Sequence, residues 1–530
     1  MIWFVRDLDL LNLLLRAFSF ALEAVAFGAL FFWGVAARPA GLDRTAQARL
    51  RRVGAWFALA LAVTEVVLLA TTSAELMGSG GIGLREIASA GYFISGCVFA
   101  LAALGMFAGM RTSERLAPAV VAAVIALGAS VSLSHAASRM DHRALLLALT
   151  AAHHLGMAAW IGALLFLLLV LRTEPEPEIA RAMARRFSRM AVTGVALLVG
   201  AGAGLSWFYA GSWRGMWGTS YGLLLSAKIV LTMMILALGA ANYLAIRQAG
   251  DTGSLFLRRL RRFGEVELAV AFTVLVAAAS LTAQTPSVDE MPENTLTTHG
   301  VLQRLEWRLP SFRTPSYAQL TPATPLSVAV REATFTGGSK SDANDRAWSE
   351  YNHHWAGLIV LAAGLLALTG RRWAQHWPLL FLALAVFIVL RADPECWPLG
   401  PRPFWASFTA PDVLEHRVFA LLIAAFALFE WGVRTGRLGW APARYVFPAL
   451  CAAGGALLLT HTHALGEGTD EVFAELSHTP MAVLGATVGW ARWLELRLSE
   501  KEWRARRVAR WVWPVCLVLL GLLLLNYRET

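Results

Sequence analysis

Long apolar stretches, each of about 20 residues and so able to cross a hydrocarbon core of about 30 Å, recur along the chain between polar connections. Fourteen stand out, at 11–36, 53–72, 88–109, 116–136, 146–171, 189–210, 221–246, 264–284, 354–370, 377–391, 413–434, 444–463, 472–494 and 508–526. None alternates apolar and polar positions with the period of two that a barrel strand requires. The pattern predicts an all-α fold, a polytopic helical membrane protein of about 14 transmembrane helices. The run at 377–391 is the shortest of the set. One polar connection, 285–352, is much longer than the rest, is rich in Thr, Ser, Pro and Ala, and holds a strand-like stretch at 326–333. It divides the chain into an eight-helix membrane domain (1–284), a short extramembrane insertion (285–352) with room for a small β-rich piece, and a six-helix membrane domain (353–530).

Composition agrees: 57% of the residues are hydrophobic and 15% charged, where a soluble domain has about 25% charged. The net charge of +10 is not a nucleic-acid signal, because the arginines lie in short connections between apolar runs. Connections 38–52, 172–188, 247–262 and 492–510 are strongly basic, whereas 73–87, 211–220, 392–412 and 464–471 are poor in Arg and Lys. By the positive-inside rule the basic set faces the cytoplasm. Both termini and the 285–352 insertion then face the periplasm of a bacterial inner membrane. The stretch from Leu10 to Ala37 is too long for a signal sequence and lacks a basic start, so it reads as the first span. Cys97, Cys396, Cys451 and Cys516 occur singly, which supports neither a thiolate zinc site nor a redox pair.

Histidine changes the picture. An ionisable residue in hydrocarbon costs about 2.5 kcal/mol or more, yet four neighbouring apolar segments carry imidazole near one end. They hold His353 and His354, then His416, then His461 and His463, then His478. In the predicted topology all of these fall on the external side. Asp412 and His416 are four apart and share a helix face, while Glu475, His478 and Met481 follow one another at intervals of three. His461 and His463 are two apart, so a regular helix aims them differently. Imidazole suits copper, zinc, iron and nickel, and thioether favours Cu(I). Any one of these histidines alone reads as a half-solvated interfacial residue; the set reads as a metal or haem site.

A second group lies in the first half. His153, Met157 and Trp160 are spaced i, i+4, i+7 along the fifth run, and His135 ends the fourth. The spacing fits a Cu(I) pair and ordinary helix packing equally well. Glu23, Glu65, Lys228, Glu265 and Glu267 are further intramembrane charges, and Lys228 calls for an anionic partner such as Glu65.

Several of these residues sit in a recognisable order. Ser134-His135-Ala136 precedes His153-x6-Trp160-Ile161-Gly162, then come Arg186-Phe187-Ser188-Arg189, Gly218-Thr219-Ser220-Tyr221-Gly222, Lys228 and Glu267. This combination resembles the CopD family of copper-resistance membrane proteins. The resemblance marks His135, His153, Trp160 and Lys228 as family-like positions. It implies an inner-membrane protein that handles copper, as Cu(I) or Cu(II), between periplasm and cytoplasm alongside a periplasmic copper-binding protein. The six-span extension from about 354 goes beyond the family's core. The His-x6-Trp-x-Gly element also resembles a motif of membrane haem proteins related to protoporphyrinogen oxidation.

The expected function is copper transport without enzymatic turnover, with capture at the external histidines. No Walker A motif and no Cys-Pro-Cys is present, so ATP-driven pumping is not indicated. Two alternatives use the same residues. One is a redox protein holding b-type haem between helices, with His416 and His478 as axial ligands. The other is a metal-binding sensor or assembly subunit that does not translocate its ion.

Overall fold

The computed structural model describes every residue except Met1, Glu174, 249–252, 316–342, 394–395, 409–410, 461–468 and 529–530. The described residues are helical, with no strand among them. Twelve of their helices are long and apolar enough to cross a membrane, against the fourteen expected. The other two runs also form helices. Ala117–Ser132 has only 16 residues. Thr469–Arg497 has 29, but Asp470, Glu471, Glu475 and His478 crowd its first third and lower its hydropathy. The chain is an all-α polytopic membrane protein.

Two compact units are present, one of residues 1–216 and 224–290, the other of 217–223 and 291–530. The first contains α1 (Ile2–Phe31), α2 (Arg44–Gly80), α3 (Gly91–Thr112), α4 (Ala117–Ser132), α5 (Arg143–Met157), α6 (Ala163–Leu171), α7 (Pro177–Ala210), most of α8 (Ser220–Gln248) and α9 (Gly253–Ala283). Asp43 starts α2 by accepting from the Ala46 N–H at 2.8 Å, which satisfies one of the unpaired donors of a first turn. A π-helical turn, Ala158–Gly162, joins α5 to α6.

Helix α1 is the centre of this unit. It packs against α2, α6, α9 and the π-helical turn, and 67% of its most apolar window is buried. The approach to the turn is backbone against backbone. A Cβ on Gly162 would stand 1.8 Å from the Ala24 carbonyl oxygen, and one on Gly28 would stand 2.2 Å from the Gly162 carbonyl carbon. Small residues at such a crossing let two helices meet closely where no hydrophobic force drives them together.

The second unit contains α10 (Thr298–Leu305), α11 (Ala343–Thr369), α12 (Leu379–Arg391), α13 (Pro411–Arg434), α14 (Val446–Leu458), α15 (Thr469–Arg497) and α16 (Trp503–Leu525). Helix α11 pairs with α16, and α15 packs against both α14 and α16. Rings fill its core: Phe381 and Phe426 have centroids 4.9 Å apart, Phe426 and Phe447 5.5 Å, Trp377 and Trp513 5.7 Å. Buried charge adjoins them. The fully enclosed Glu430 accepts from Arg434 at 2.7 Å and Arg492 at 3.2 Å, and Glu495 accepts from Arg492 at 2.7 Å and from the Trp513 indole at 2.8 Å. The Arg434 guanidinium lies 5.0 Å from the centre of the Trp377 ring, a cation–π contact.

Of the insertion expected at 285–352, the described part holds a short turn at Pro292–Asn294, helix α10 and the beginning of α11. The strand-like stretch at 326–333 lies outside the described residues. All four cysteines are free thiols, with Cys396 and Cys516 buried.

Gly162→Val should destabilise the first unit by about 2 kcal/mol or more, the scale of an overpacked core. The control is Gly200→Ala, where an added Cβ meets nothing within 4 Å. Thermal unfolding of purified protein in detergent reads the difference, and equal melting temperatures would remove the α1 crossing as a constraint.

Candidate functional site

Three elements of the second unit bring imidazoles together. His353 lies in the early turns of α11, His478 in the early turns of α15, and Tyr527 just past the end of α16. The His353 ring stacks on Tyr527 with centroids 3.7 Å apart and 18° between planes. The His478 ring stands 5.8 Å from Tyr527 and 6.3 Å from His353, nearly perpendicular to it.

The two imidazoles are anchored in the same way. Nδ1 of His353 is 2.8 Å from the Ser349 carbonyl oxygen and Nδ1 of His478 is 2.8 Å from that of Ala474. Each acceptor is one helical turn earlier, and each bond requires Nδ1 to carry the hydrogen, so Nε2 is the basic nitrogen of both rings. A ring nitrogen fixed on a backbone carbonyl is the usual support of a metal-binding histidine. Metal–nitrogen bonds of about 2.0 Å place two rings on one ion with centres roughly 5–6 Å apart, which is close to the separation found.

The remaining expected ligands of this half are placed as follows. Glu475, one turn before His478, is 1% exposed, and its carboxylate accepts from the Thr479 hydroxyl. Met481 is buried in the same helix. His354 has both ring nitrogens engaged: Nδ1 meets the Ser311 backbone at 3.1 Å and Nε2 meets the Tyr527 carbonyl at 3.1 Å. It ties α11 to the segment after α16 through both ring nitrogens. His416 is half exposed, and its Nδ1 lies 2.6 Å from the buried carboxylate of Asp393, a partner that sequence reasoning missed. His461, His463 and the Asp412 side chain fall outside the described residues. Among the described residues no three His, Cys, Asp or Glu side chains come together as a metal site.

In the first unit, His135 Nε2 bonds the Thr282 carbonyl at 3.0 Å and His153 Nδ1 the Leu198 carbonyl at 3.1 Å. Met157 sits in an apolar cluster with Ala24 and Leu275, and Trp160 is buried in the π-helical turn. Lys228 lies within electrostatic reach of His153 and His154 and makes no ion pair among the described residues. The expected Lys228–Glu65 pair does not form: Glu65 accepts from Ser19 and has Arg16 as its cation.

The constellation that sequence reasoning missed here is Glu23, Ser130 and His154. The Glu23 carboxylate is 3.0 Å from the Ser130 hydroxyl and 3.0 Å from His154 Nδ1, in the middle of the bundle. Glu23 had signalled a need for a partner, since a lone carboxylate in hydrocarbon is costly. The signal for His154 was only its place beside His153.

Residues 180–281 match the family model described as Copper resistance protein D. The chain is also 30% identical over 144 residues to the Copper transport protein CutJ of Bacillus subtilis (strain 168), a match spanning 27% of this chain and 26% of that protein. No solved structure matches. The family match covers α7, α8 and nearly all of α9, and so contains Lys228 but neither His353 nor His478. These likenesses relate the chain to copper-resistance and copper-transport membrane proteins.

His135 supplies a pH test. Burial lowers its affinity for a proton below the ordinary histidine value of 6.5, the Thr282 carbonyl opposes the shift, Arg16 and Arg139 add to it, and Asp289 opposes it. As pH falls below that value the unfolded chain takes up a proton that the folded imidazole resists, so stability declines; above it the contribution is constant. His135→Gln should flatten the dependence of melting temperature on pH between about 6.5 and 5. An unchanged slope would show that this ring does not govern it.

Proposed function

We propose that this chain is a copper-handling multi-pass protein of the bacterial inner membrane that carries copper across the bilayer. The observation that carries the reading is the His353–His478 pair, two neighbouring imidazoles whose Nδ1 atoms are each anchored on a carbonyl of their own helix. The likeness to copper-resistance and copper-transport proteins supports copper as the cargo. His461 and His463 open the stretch that precedes α15, and His416 with Asp393 adds a half-exposed imidazole in the same unit. Together they form the proposed capture site, with Met481 as the thioether nearest in sequence. The basic connections set the orientation: the histidine ends face the periplasm, where a copper-binding protein would deliver the ion.

Haem b held between His353 and His478, a pair other than the His416 and His478 expected as axial ligands, fits less well. A macrocycle between the rings needs a wide flat slot, and the Tyr527 side chain packs against both imidazoles on one flank.

Uptake of radioactive copper into proteoliposomes tests the proposal. Wild-type protein should give time-dependent accumulation, and His353→Phe and His478→Phe should each weaken copper binding about tenfold or more and reduce uptake in parallel. His376→Ala should match the wild type, because His376 is exposed and accepts from the Trp431 indole at 2.9 Å, away from the pair. Binding without accumulation would identify a sensor or assembly subunit instead of a carrier, and a Soret band lost in either Phe variant would identify haem.

A further inference from the structure

Asn12, Arg16, Ser19 and Glu23 follow one another along α1 at steps of four, three and four. That spacing keeps them on one face. At 1.5 Å per residue the stripe is about 16 Å long, roughly half the thickness of a hydrocarbon core.

Each member of the stripe has a polar partner from another helix. Asn12 donates to Glu75 at 2.9 Å and accepts from Thr71 at 2.5 Å. Arg16 lies within electrostatic reach of both Glu65 and Glu75, and its Nη1 is 3.5 Å from the Thr282 hydroxyl. Ser19 donates to Glu65, and Glu23 meets Ser130 and His154. Exposure falls along the way: Glu75 is partly exposed, Glu65 is 3% exposed and Glu23 1%.

Helix association alone does not account for this. Interhelical hydrogen bonds in membranes contribute about 0.6–2 kcal/mol each, and serine or asparagine would supply them without buried carboxylates. Here acids recur at three depths, separated by a guanidinium and a hydroxyl.

We propose that this face of α1 is a proton route, leading from Glu75 through Glu65 to Glu23 in the middle of the first unit. A proton from water converts the Glu75 carboxylate to the acid, then passes to Glu65 and on to Glu23. Each transfer breaks one O–H bond and forms one, with no change in electron count. The Ser19 hydroxyl relays by giving its proton to one oxygen while taking one from another. Once a proton has moved on, the Arg16 guanidinium favours the anionic form of Glu65 and Glu75. At the inner end Glu23 passes the proton to His154 Nδ1, 3.0 Å away, and His154 gives up the one on its Nε2 to water from the opposite side, with the Lys228 ammonium beyond it. The route does not depend on copper as the cargo.

The full chain in liposomes loaded with a pH-sensitive dye, under a potassium diffusion potential with and without external copper, tests it. Wild-type vesicles should acidify, and Glu65→Gln should fall to the level of protein-free vesicles while eluting as a single species and melting normally. Glu65→Asp should recover part of the flux, and Glu500→Gln, in the other unit and 94% exposed, should leave it intact. Should Glu65→Gln fail to fold, Ser19→Ala and Glu23→Gln carry the same expectation. No proton flux in wild-type vesicles under either condition, or full flux in the Glu65→Gln protein, would overturn the route. Copper uptake is measured in the same vesicles, so proton flux without copper uptake would sink only the copper reading.

Discussion

A charged side chain inside hydrocarbon has no water to turn to, and each unit of this protein is arranged around meeting that demand from within. In the first, Glu23, Glu65 and Arg16 are satisfied by hydroxyls, an imidazole and each other along one face of α1. In the second, Glu430 and Glu495 hold Arg434 and Arg492 against the rings of Trp377 and Trp513. Breaking such a set from one side strands a charge, which costs about 3–5 kcal/mol. The helices around these groups are therefore held in register by more than apolar contact, which in lipid gives little preference for one neighbour over another.

Close backbone contact makes the polar arrangement reachable. The Gly28–Gly162 crossing draws α1 onto the turn after α5, and His154 lies two helical turns before that crossing. Without the crossing a carboxylate on α1 and an imidazole on α5 would be held apart by side-chain bulk. The histidine pair of the second unit depends on backbone in another way. Its rings are steadied by carbonyls of their own helices, so their orientation survives small movements of the helices relative to each other.

The helices were legible because a run of about 20 apolar residues has one stable form in lipid. Every one of the fourteen runs lies on a helix, and the two outside the twelve are a helix of 16 residues and one whose first third is crowded with ionisable side chains. Partnerships were much less legible. Glu23 and His154 are 131 positions apart, and spacing along the chain carries no information about which helices touch. Lys228 shows this: it lies within electrostatic reach of imidazoles, while Arg16 is the cation near the acid expected for it. Periodicity also singled out Met157 as a soft ligand, though the position fits packing equally, and the apolar cluster around it is a packing environment. Asp393 was invisible as a partner of His416 because it sits in a connection of no regular period.

Helix α16 joins two features that are otherwise separate. Trp513, midway along it, is gripped by Glu495 and lies beneath Arg434 and Arg492, and Tyr527 just past its end carries the ring on which His353 rests. Pro514 adjoins that tryptophan and removes one amide from the helical ladder, which makes this level a natural pivot. About 20 Å of stiff rod separates pivot from tip. A tilt of roughly 5° there would swing the tyrosine by on the order of 2 Å, comparable to a metal–nitrogen bond, and would tie the charged grip on Trp513 to the spacing of the imidazoles.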